Sequence, residues 1–147
     1  MGIRRDGIFA MLTNFRNGIQ PGGKQSRGPL VGSFLVAPEK AEHLLSRLRE
    51  TRANTLGYNL LFGSLLGRVF FYSSTLDHFE EIHEGIVGVS NASLNTPWPK
   101  VRKVREGMKD LISEFSSKEH SFPGTTPTEK FPIEKMFSLL SDPERAR

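Results

Sequence analysis

The stretch YNLLFGSLLGRVFFYSS, residues 58–74, decides the fold. It reads as two β-strands, about Asn59 to Ser64 and Arg68 to Ser73, joined by a tight turn at Leu66-Gly67. Apolar residues run almost without interruption along both strands, so each strand should be buried on both of its faces. The sequence therefore predicts strands that lie between layers of helix or between stacked sheets.

The chain upstream of this pair predicts one further strand and one helix. Ile8 to Thr13 is a short apolar run typical of a buried strand. Pro38 begins a helix whose buried stripe consists of Leu44, Leu45 and Leu48. Residues 16–28 are rich in Gly, Pro and polar side chains, which favours a surface loop between the two elements.

The chain downstream predicts a link, a strand and two helices. Residues 73–85 read as a polar link, and Gly85 to Ser90 reads as the next strand. Thr96 suits the N-cap of a helix and Pro97 its first turn. The apolar face of that helix is formed by Val101, Val104, Met108, Leu111, Ile112 and Phe115. A last short helix is expected near Ile133 to Leu140.

Composition limits the classes of protein that remain. A chain of 147 residues, 37% of them hydrophobic, can bury one core, so a single domain over residues 1–147 is expected. The net charge of +4 is too small to predict nucleic-acid binding. The chain has no Cys, which excludes disulfides, thiolate metal sites and a Cys nucleophile in these residues. No apolar run is long enough for a membrane span, and the N-terminus lacks the apolar segment of a signal peptide, so a cytoplasmic location is expected.

Four blocks of sequence carry a resemblance to a known family. They are LTNFR at 12–16, SRGPLVGSFL at 26–35, GYNLLFG at 57–63 and GVSNASLNTPWPKV at 88–101. In this order and spacing the chain resembles the transport and Golgi organization protein 2 family, also called the NRDE family. The resemblance implies an α+β fold, a partial αββα sandwich like that of N-terminal-nucleophile hydrolases. It also implies roles in Golgi and endoplasmic-reticulum organisation, secretion, and haem or lipid homeostasis, with association to the Golgi, endoplasmic reticulum or mitochondria.

The chain also departs from the family pattern at both ends. Family members open with Met-Cys, the candidate nucleophile, and carry an Asn-Arg-Asp-Glu segment, whereas this chain opens with MGIRRDGIF and has neither. A closing Tyr-Gly-Thr-Arg stretch is missing too, so the chain is expected to be a truncated, non-catalytic member that binds a small ligand. The alternative is a fragment of an amidohydrolase-like enzyme that lacks its nucleophile.

The candidate ligand-binding residues lie in the blocks that carry the resemblance, and no catalytic residue is assigned. They are Asn14, Arg16, Arg27, Asn59, Ser90, Asn91 and Trp98. A side-chain amide beside a helix N-terminus can donate to an anion, and an arginine can bind a carboxylate or phosphate with two hydrogen bonds. The competing interpretation is structural: Asn91 caps a turn, Trp98 fills the core, and the arginines are solvated loop charges.

No cofactor or metal is predicted firmly. The resemblance makes haem a candidate, and its axial ligand would come from His43, His78, His83 and His120. Their polar surroundings are typical of surface histidines, and no zinc-site spacing is present. The expected partner is a small hydrophobic or anionic ligand, not a nucleic acid. The sequence does not specify an oligomeric state.

Overall fold

The structure, a computed structural model, describes residues 1–16, 25–119 and 132–140. The chain divides into two compact units. The first comprises Met1–Gly85 and Val89–Thr96, and the second comprises Ile86–Gly88 and Pro97–Arg147. The single domain expected over residues 1–147 stays a prediction, and each unit is described by itself.

The first unit is built on a five-stranded antiparallel sheet. Its strands, in chain order and in order across the sheet, are β1 (Gly2–Ile3), β2 (Ile8–Asn14), β3 (Tyr58–Ser64), β4 (Val69–Ser73) and β5 (His78–Ile82). Between β2 and β3 the chain forms α1 (Gly28–Val36), α2 (Ala41–Thr51) and a short 3-10 turn (Arg52–Asn54). The strand pair predicted from residues 58–74 is confirmed, and so is the turn that joins it.

The second unit contains two helices within the described residues, α3 (Pro99–Glu119) and α4 (Ile133–Leu140). Both helices were predicted from the sequence. Val101 and Leu111 of the predicted apolar stripe are buried, whereas Ile112 is 40% exposed. No helix in the described part of the chain is long and apolar enough to cross a membrane. The α+β class is confirmed, and the second sheet of an αββα sandwich stays a prediction.

Helices α1 and α2 cover one face of the sheet, and their buried side chains form one core with those of the strands. The buried cluster consists of Ala10, Phe34, Ala41, Leu44, Leu48, Tyr58, Leu60, Phe62, Phe70 and Tyr72. Residues alternate along each strand, so Leu60 lies opposite Tyr72, and Phe62 lies opposite Phe70, on this same face. The Phe34 ring of α1 meets the Phe62 ring edge to face, with 5.3 Å between centroids.

The opposite face of the sheet is buried as well along its central strands. Phe71 and Ser73 of β4 are 0% exposed, and Asn59 of β3 is 1% exposed. The prediction that both faces are buried is therefore confirmed for this part of the strands, whereas Leu61, Gly63 and Val69 on the same face are half-buried. It also places two polar side chains, Asn59 and Ser73, side by side in a buried environment, because they are cross-strand partners.

The structure corrects the prediction of a strand at Gly85 to Ser90. These residues form no strand, and the fifth strand lies in the segment read as a polar link. Only Phe79 of this edge strand has to join the core, where its ring stacks on Phe70 at 5.6 Å between centroids. The other face of the strand tolerates polar residues, so the hydrophobic signal is weak.

The predicted start of α3 is also wrong. The helix begins at Pro99, because the amide nitrogen of Arg102 donates to the Trp98 carbonyl at 3.0 Å. The Thr96 hydroxyl instead donates to the Ser93 carbonyl at 2.8 Å. The second of the two prolines, rather than the first, takes the helix start, where its missing N–H costs nothing.

Candidate functional site

Six of the seven candidate residues lie at one end of the sheet in the first unit. Asn14 ends β2, Asn59 is the second residue of β3, and Arg27 precedes α1. Arg16 follows β2, and Ser90 and Asn91 lie in the loop after β5. We call this cluster the junction; it comprises Asn14, Arg16, Arg27, Asn59, Ser90 and Asn91.

Hydrogen bonds hold the loop at residues 90–92 against the strand ends. The Ser90 carbonyl accepts from the Thr13 hydroxyl at 2.7 Å. The side-chain nitrogen of Asn91 donates to the Asn14 carbonyl at 3.0 Å, and the backbone nitrogen of Arg16 donates to the Asn91 carbonyl at 2.7 Å. These contacts position the loop, as the structural interpretation of Asn91 expects.

Asn59 is the most buried member of the junction. Its Nδ2 donates to the Ala92 carbonyl at 2.6 Å and to the Ser90 carbonyl at 3.4 Å. Its Oδ1 is buried without a hydrogen-bond partner among the described residues, and the same holds for the hydroxyl of its neighbour Ser73. An unmatched buried polar atom costs about 1–3 kcal/mol. This pair is therefore a place where a hydrogen-bond donor would be favourable.

Arg27 links the start of α1 to the start of β3. Its Nη1 donates to the Gly57 carbonyl at 3.0 Å, and the same oxygen accepts from the Phe15 amide at 2.9 Å. The guanidinium is half-buried and carries further N–H groups. Arg16 is exposed at the end of the first described range. A role for either arginine in ligand binding stays a prediction.

Trp98, the seventh candidate, belongs to the second unit. Its indole is half-buried, and the Lys100 ammonium lies 5.1 Å from the ring centroid, a distance typical of a cation–π contact. The structural interpretation expected Trp98 to fill the core. The indole is only half-buried, so it does not do so completely.

The three histidines within the described residues all lie on the surface. His43 lies exposed on α2, and His83 is exposed after β5. His78 is exposed at the start of β5, with its Nε2 3.2 Å from the Glu80 carboxylate. His120 lies outside the described residues. Among those that are described, no group of three or more His, Asp or Glu side chains is placed to hold a metal ion.

A groove of about 370 Å³ lies at the other end of the sheet, on the face covered by the helices. It is lined by residues near the pair Ile8 and Ser64, whereas the junction lies near the opposite end of the β2–β3 ladder. The floor is aromatic and consists of Phe34, Phe62 and Phe70. The Phe62 and Phe70 rings stack at 5.5 Å between centroids. We call this feature the helix-side groove.

Charged groups surround the rim of the helix-side groove. The Arg68 guanidinium lies 4.8 Å from the centroid of the Phe70 ring and donates through Nε to Glu81 at 2.9 Å. This hydrogen bond, helped by the charge of Arg68, holds the pKa of the Glu81 carboxyl below its usual value. Glu39, Lys40 and Glu42 complete the rim, and the Glu39 carboxylate accepts from Arg47 Nε at 3.1 Å. Within the described ranges no carboxylate lies in ion-pair distance of the Lys40 ammonium.

The sequence did not predict the helix-side groove. Phe62 and Phe70 were expected as buried strand residues, but only the cross-strand register makes them neighbours. No helix was expected at residues 28–36, so the contribution of Phe34 was missed. The only related signal in the sequence was its content of 11 Phe among 147 residues.

Comparison with known proteins gives one clear result. The family model described as Transport and Golgi organisation 2 matches residues 1–147. A search of individually curated proteins finds no match.

Proposed function

Because this chain belongs to the Transport and Golgi organisation 2 family, we propose that it binds a small ligand without transforming it chemically. The proposed biological setting is Golgi and endoplasmic-reticulum organisation and secretion, or haem and lipid homeostasis. A cytoplasmic protein associated with these membranes or with mitochondria fits that setting.

The helix-side groove is the observation that carries the proposal. Its volume of about 370 Å³ lies in the range of small-molecule sites, about 300–1,000 Å³. Such sites combine an apolar lining with a few polar groups that orient the ligand. Three phenylalanine rings and a charged rim provide this combination within one unit.

The chemistry of the rim suggests the class of ligand. An apolar body would cover the rings of Phe62 and Phe70. Arg68 is already bonded to Glu81, whereas the Lys40 ammonium has no ion pair with the described residues. An anionic group on the ligand would find its counter-charge at Lys40. A hydrophobic molecule therefore fits the rings, and Lys40 offers a partner to an anionic group beside the Glu42 carboxylate.

The alternative, a fragment of an amidohydrolase-like enzyme, has less support from the described residues. The hydroxyls of Thr13, Ser74 and Thr96 donate to backbone carbonyls. The Ser73 hydroxyl is fully buried and bonds to no described base. A nucleophile needs a base within hydrogen-bond reach and access to its substrate.

The test compares thermal unfolding of the purified chain with and without haem and palmitoyl-CoA. A ligand that binds only the folded state raises the Tm in proportion to the logarithm of its concentration. Glu42→Trp places an indole at the rim of the groove on an exposed helix position. Glu50→Trp is the matched control, because it removes the same charge from an exposed position on the same helix, away from the lining.

We expect one probe to raise the Tm of the wild type and of Glu50→Trp, but not that of Glu42→Trp. An equal shift in all three proteins would place binding outside the groove. If neither probe changes the Tm of the wild type, the proposal of a haem-binding or acyl-binding protein is wrong.

A further inference from the structure

Helix α3 begins with charges that oppose its own dipole. Lys100, Arg102 and Lys103 are exposed within its first five residues, and its first turn contains no acidic residue. The N-terminus of a helix carries partial positive charge, so carboxylates are favourable there and ammonium or guanidinium groups are not. These three residues, which we call the basic turn, are unfavourable to the dipole of the helix that carries them.

The positive charge continues along the next residues of the chain. Arg105 follows the basic turn, and the first carboxylate of the helix, at Glu106, comes only after four cations. Arg105 is held in place, since its Nε donates to the Ile86 carbonyl at 2.9 Å. Lys100 and Arg102 are both exposed and contribute charge of the same sign to this end of the helix.

An aromatic residue stands directly before this positive field. Trp98 is half-buried and lies between Pro97 and Pro99, which are both exposed. The ammonium of Lys100 contacts the face of its ring at 5.1 Å from the centroid. An indole with an apolar body and a polar N–H is suited to the boundary between lipid headgroups and acyl chains.

The second unit also exposes large apolar side chains on α4. Ile133 is 54% exposed and Phe137 is 57% exposed, and the two lie one turn apart on the same side of the helix. A different residue of α4, Leu139, packs against α3, where it lies close to Gly107. These contacts, with the Lys135 ammonium 3.1 Å from the Glu114 carboxylate, place α4 beside the later turns of α3, so its exposed side chains add apolar surface to the same unit but not to the basic turn itself.

We propose that the second unit docks on an anionic lipid surface through the basic turn and Trp98. The cations match the charge of the headgroups, and each contributes to binding near the surface. The indole gains from contact with the boundary between headgroups and acyl chains. A lipid interface matches the cations together with the amphipathic indole and the exposed prolines on either side of it, which favours lipid over a phosphate backbone.

The experiment measures binding of the full chain to vesicles by co-sedimentation. One set of vesicles is pure phosphatidylcholine, and the other contains a quarter phosphatidylserine. Arg102→Glu reverses one charge in the basic turn, and Arg5→Glu reverses one exposed charge in the first unit. Trp98 fluorescence, the signal of the single tryptophan, reports whether the indole leaves water.

We expect the wild type and Arg5→Glu to bind the anionic vesicles with a blue shift of Trp98 emission. Arg102→Glu should bind about tenfold more weakly or worse, since a reversal removes one attraction and adds one repulsion. The same substitution places a carboxylate near the helix N-terminus, so its Tm should rise rather than fall. Measurement of this Tm separates a loss of binding from misfolding, because a misfolded variant would have a lower Tm.

Three results would overturn the proposal. The first is no binding to anionic vesicles, and the second is equal binding to neutral and anionic vesicles. The third is that a short single-stranded RNA binds more tightly than the vesicles and loses affinity in Arg102→Glu, because the basic turn would then serve nucleic acid.

Discussion

At the scale of single residues, Asn59 shows how a polar side chain is used inside a core. Its amide nitrogen bonds the carbonyls of Ser90 and Ala92, and so fastens a loop that is about 30 residues distant in the chain. The neighbours Asn91 and Thr13 act in the same way on the Asn14 and Ser90 carbonyls. Asn59, Asn91 and Thr13 therefore share one task in the described structure, which is to position the loop at 90–92.

Replacement of Asn59 by Ala should lower the free energy of unfolding by about 1–3 kcal/mol, because the Ala92 carbonyl loses its donor and the Ser90 carbonyl keeps only that of Thr13. Asn59→Asp should cost at least as much, since it directs a carboxylate oxygen at carbonyl oxygens. Urea unfolding measures both values. Asn54→Ala, at an exposed position of the 3-10 turn, is the control and should change stability by less than about 0.5 kcal/mol. A loss of similar size in Asn59→Ala and Asn54→Ala would show that the loop is fastened by other contacts.

At the scale of elements, the sequence predicted the strands and helices whose apolar residues follow a clear strand or helix pattern. β3, β4 and α3 were placed within one or two residues of their observed limits at most ends, because burial leaves a continuous apolar run or a helical stripe. β5 was missed because an edge strand with a single core residue, Phe79, has almost no such signal. α1 was not assigned, since glycines interrupt its apolar residues.

The candidate site was predictable only in part, because its contacts depend on how the strands pair. The residues of the junction could be chosen from the sequence blocks, and the structure brings six of them to one end of a sheet. Their hydrogen bonds to backbone carbonyls, however, depend on which strand ends lie together. The helix-side groove depends on register as well, because Phe62 and Phe70 become neighbours only once β3 pairs with β4.

The turn between β4 and β5 provides a prediction about pH. Asp77, in the left-handed conformation with φ 49°, bonds Arg49 at 2.9 Å and lies 3.1 Å from Arg52. The hydrogen bond from Arg49, and then the charges of both arginines, hold the pKa of Asp77 below its ordinary value of 3.8. A carboxyl whose pKa is lower in the folded state adds stability above that ordinary value, and the contribution disappears as the pH falls through the folded pKa.

Asp77→Asn should therefore be less stable than the wild type at neutral pH, and the difference should vanish at acid pH. Asn also tolerates the left-handed conformation, so the backbone is not strained by the change. Urea unfolding across the acid range gives the comparison. Asp110→Asn, on an exposed part of α3 without an ion pair among the described residues, should show no such pH-dependent difference. A difference between wild type and Asp77→Asn that stays constant with pH would contradict the ion-pair explanation.

At the scale of the whole molecule, the two units differ in how much they bury. The first unit contains a cluster of ten buried residues, whereas the described hydrophobic residues that are fully buried in the second are Val101 and Leu111. Local opening is easier where fewer apolar contacts are lost. We therefore expect the helices of the second unit to open without unfolding of the sheet.

Hydrogen exchange followed by mass spectrometry tests this expectation. Peptides from 58–73 should exchange slowest, and peptides from 133–140 should exchange at least about tenfold faster, which corresponds to an opening free energy lower by about 1.4 kcal/mol. Leu60→Ala, which removes a fully buried side chain, should accelerate exchange in β2, β3 and β4. Exchange in α3 and α4 should change little if this unit already opens by itself. Equal acceleration in both units would instead mean that the whole chain unfolds as one domain, as its length alone predicts.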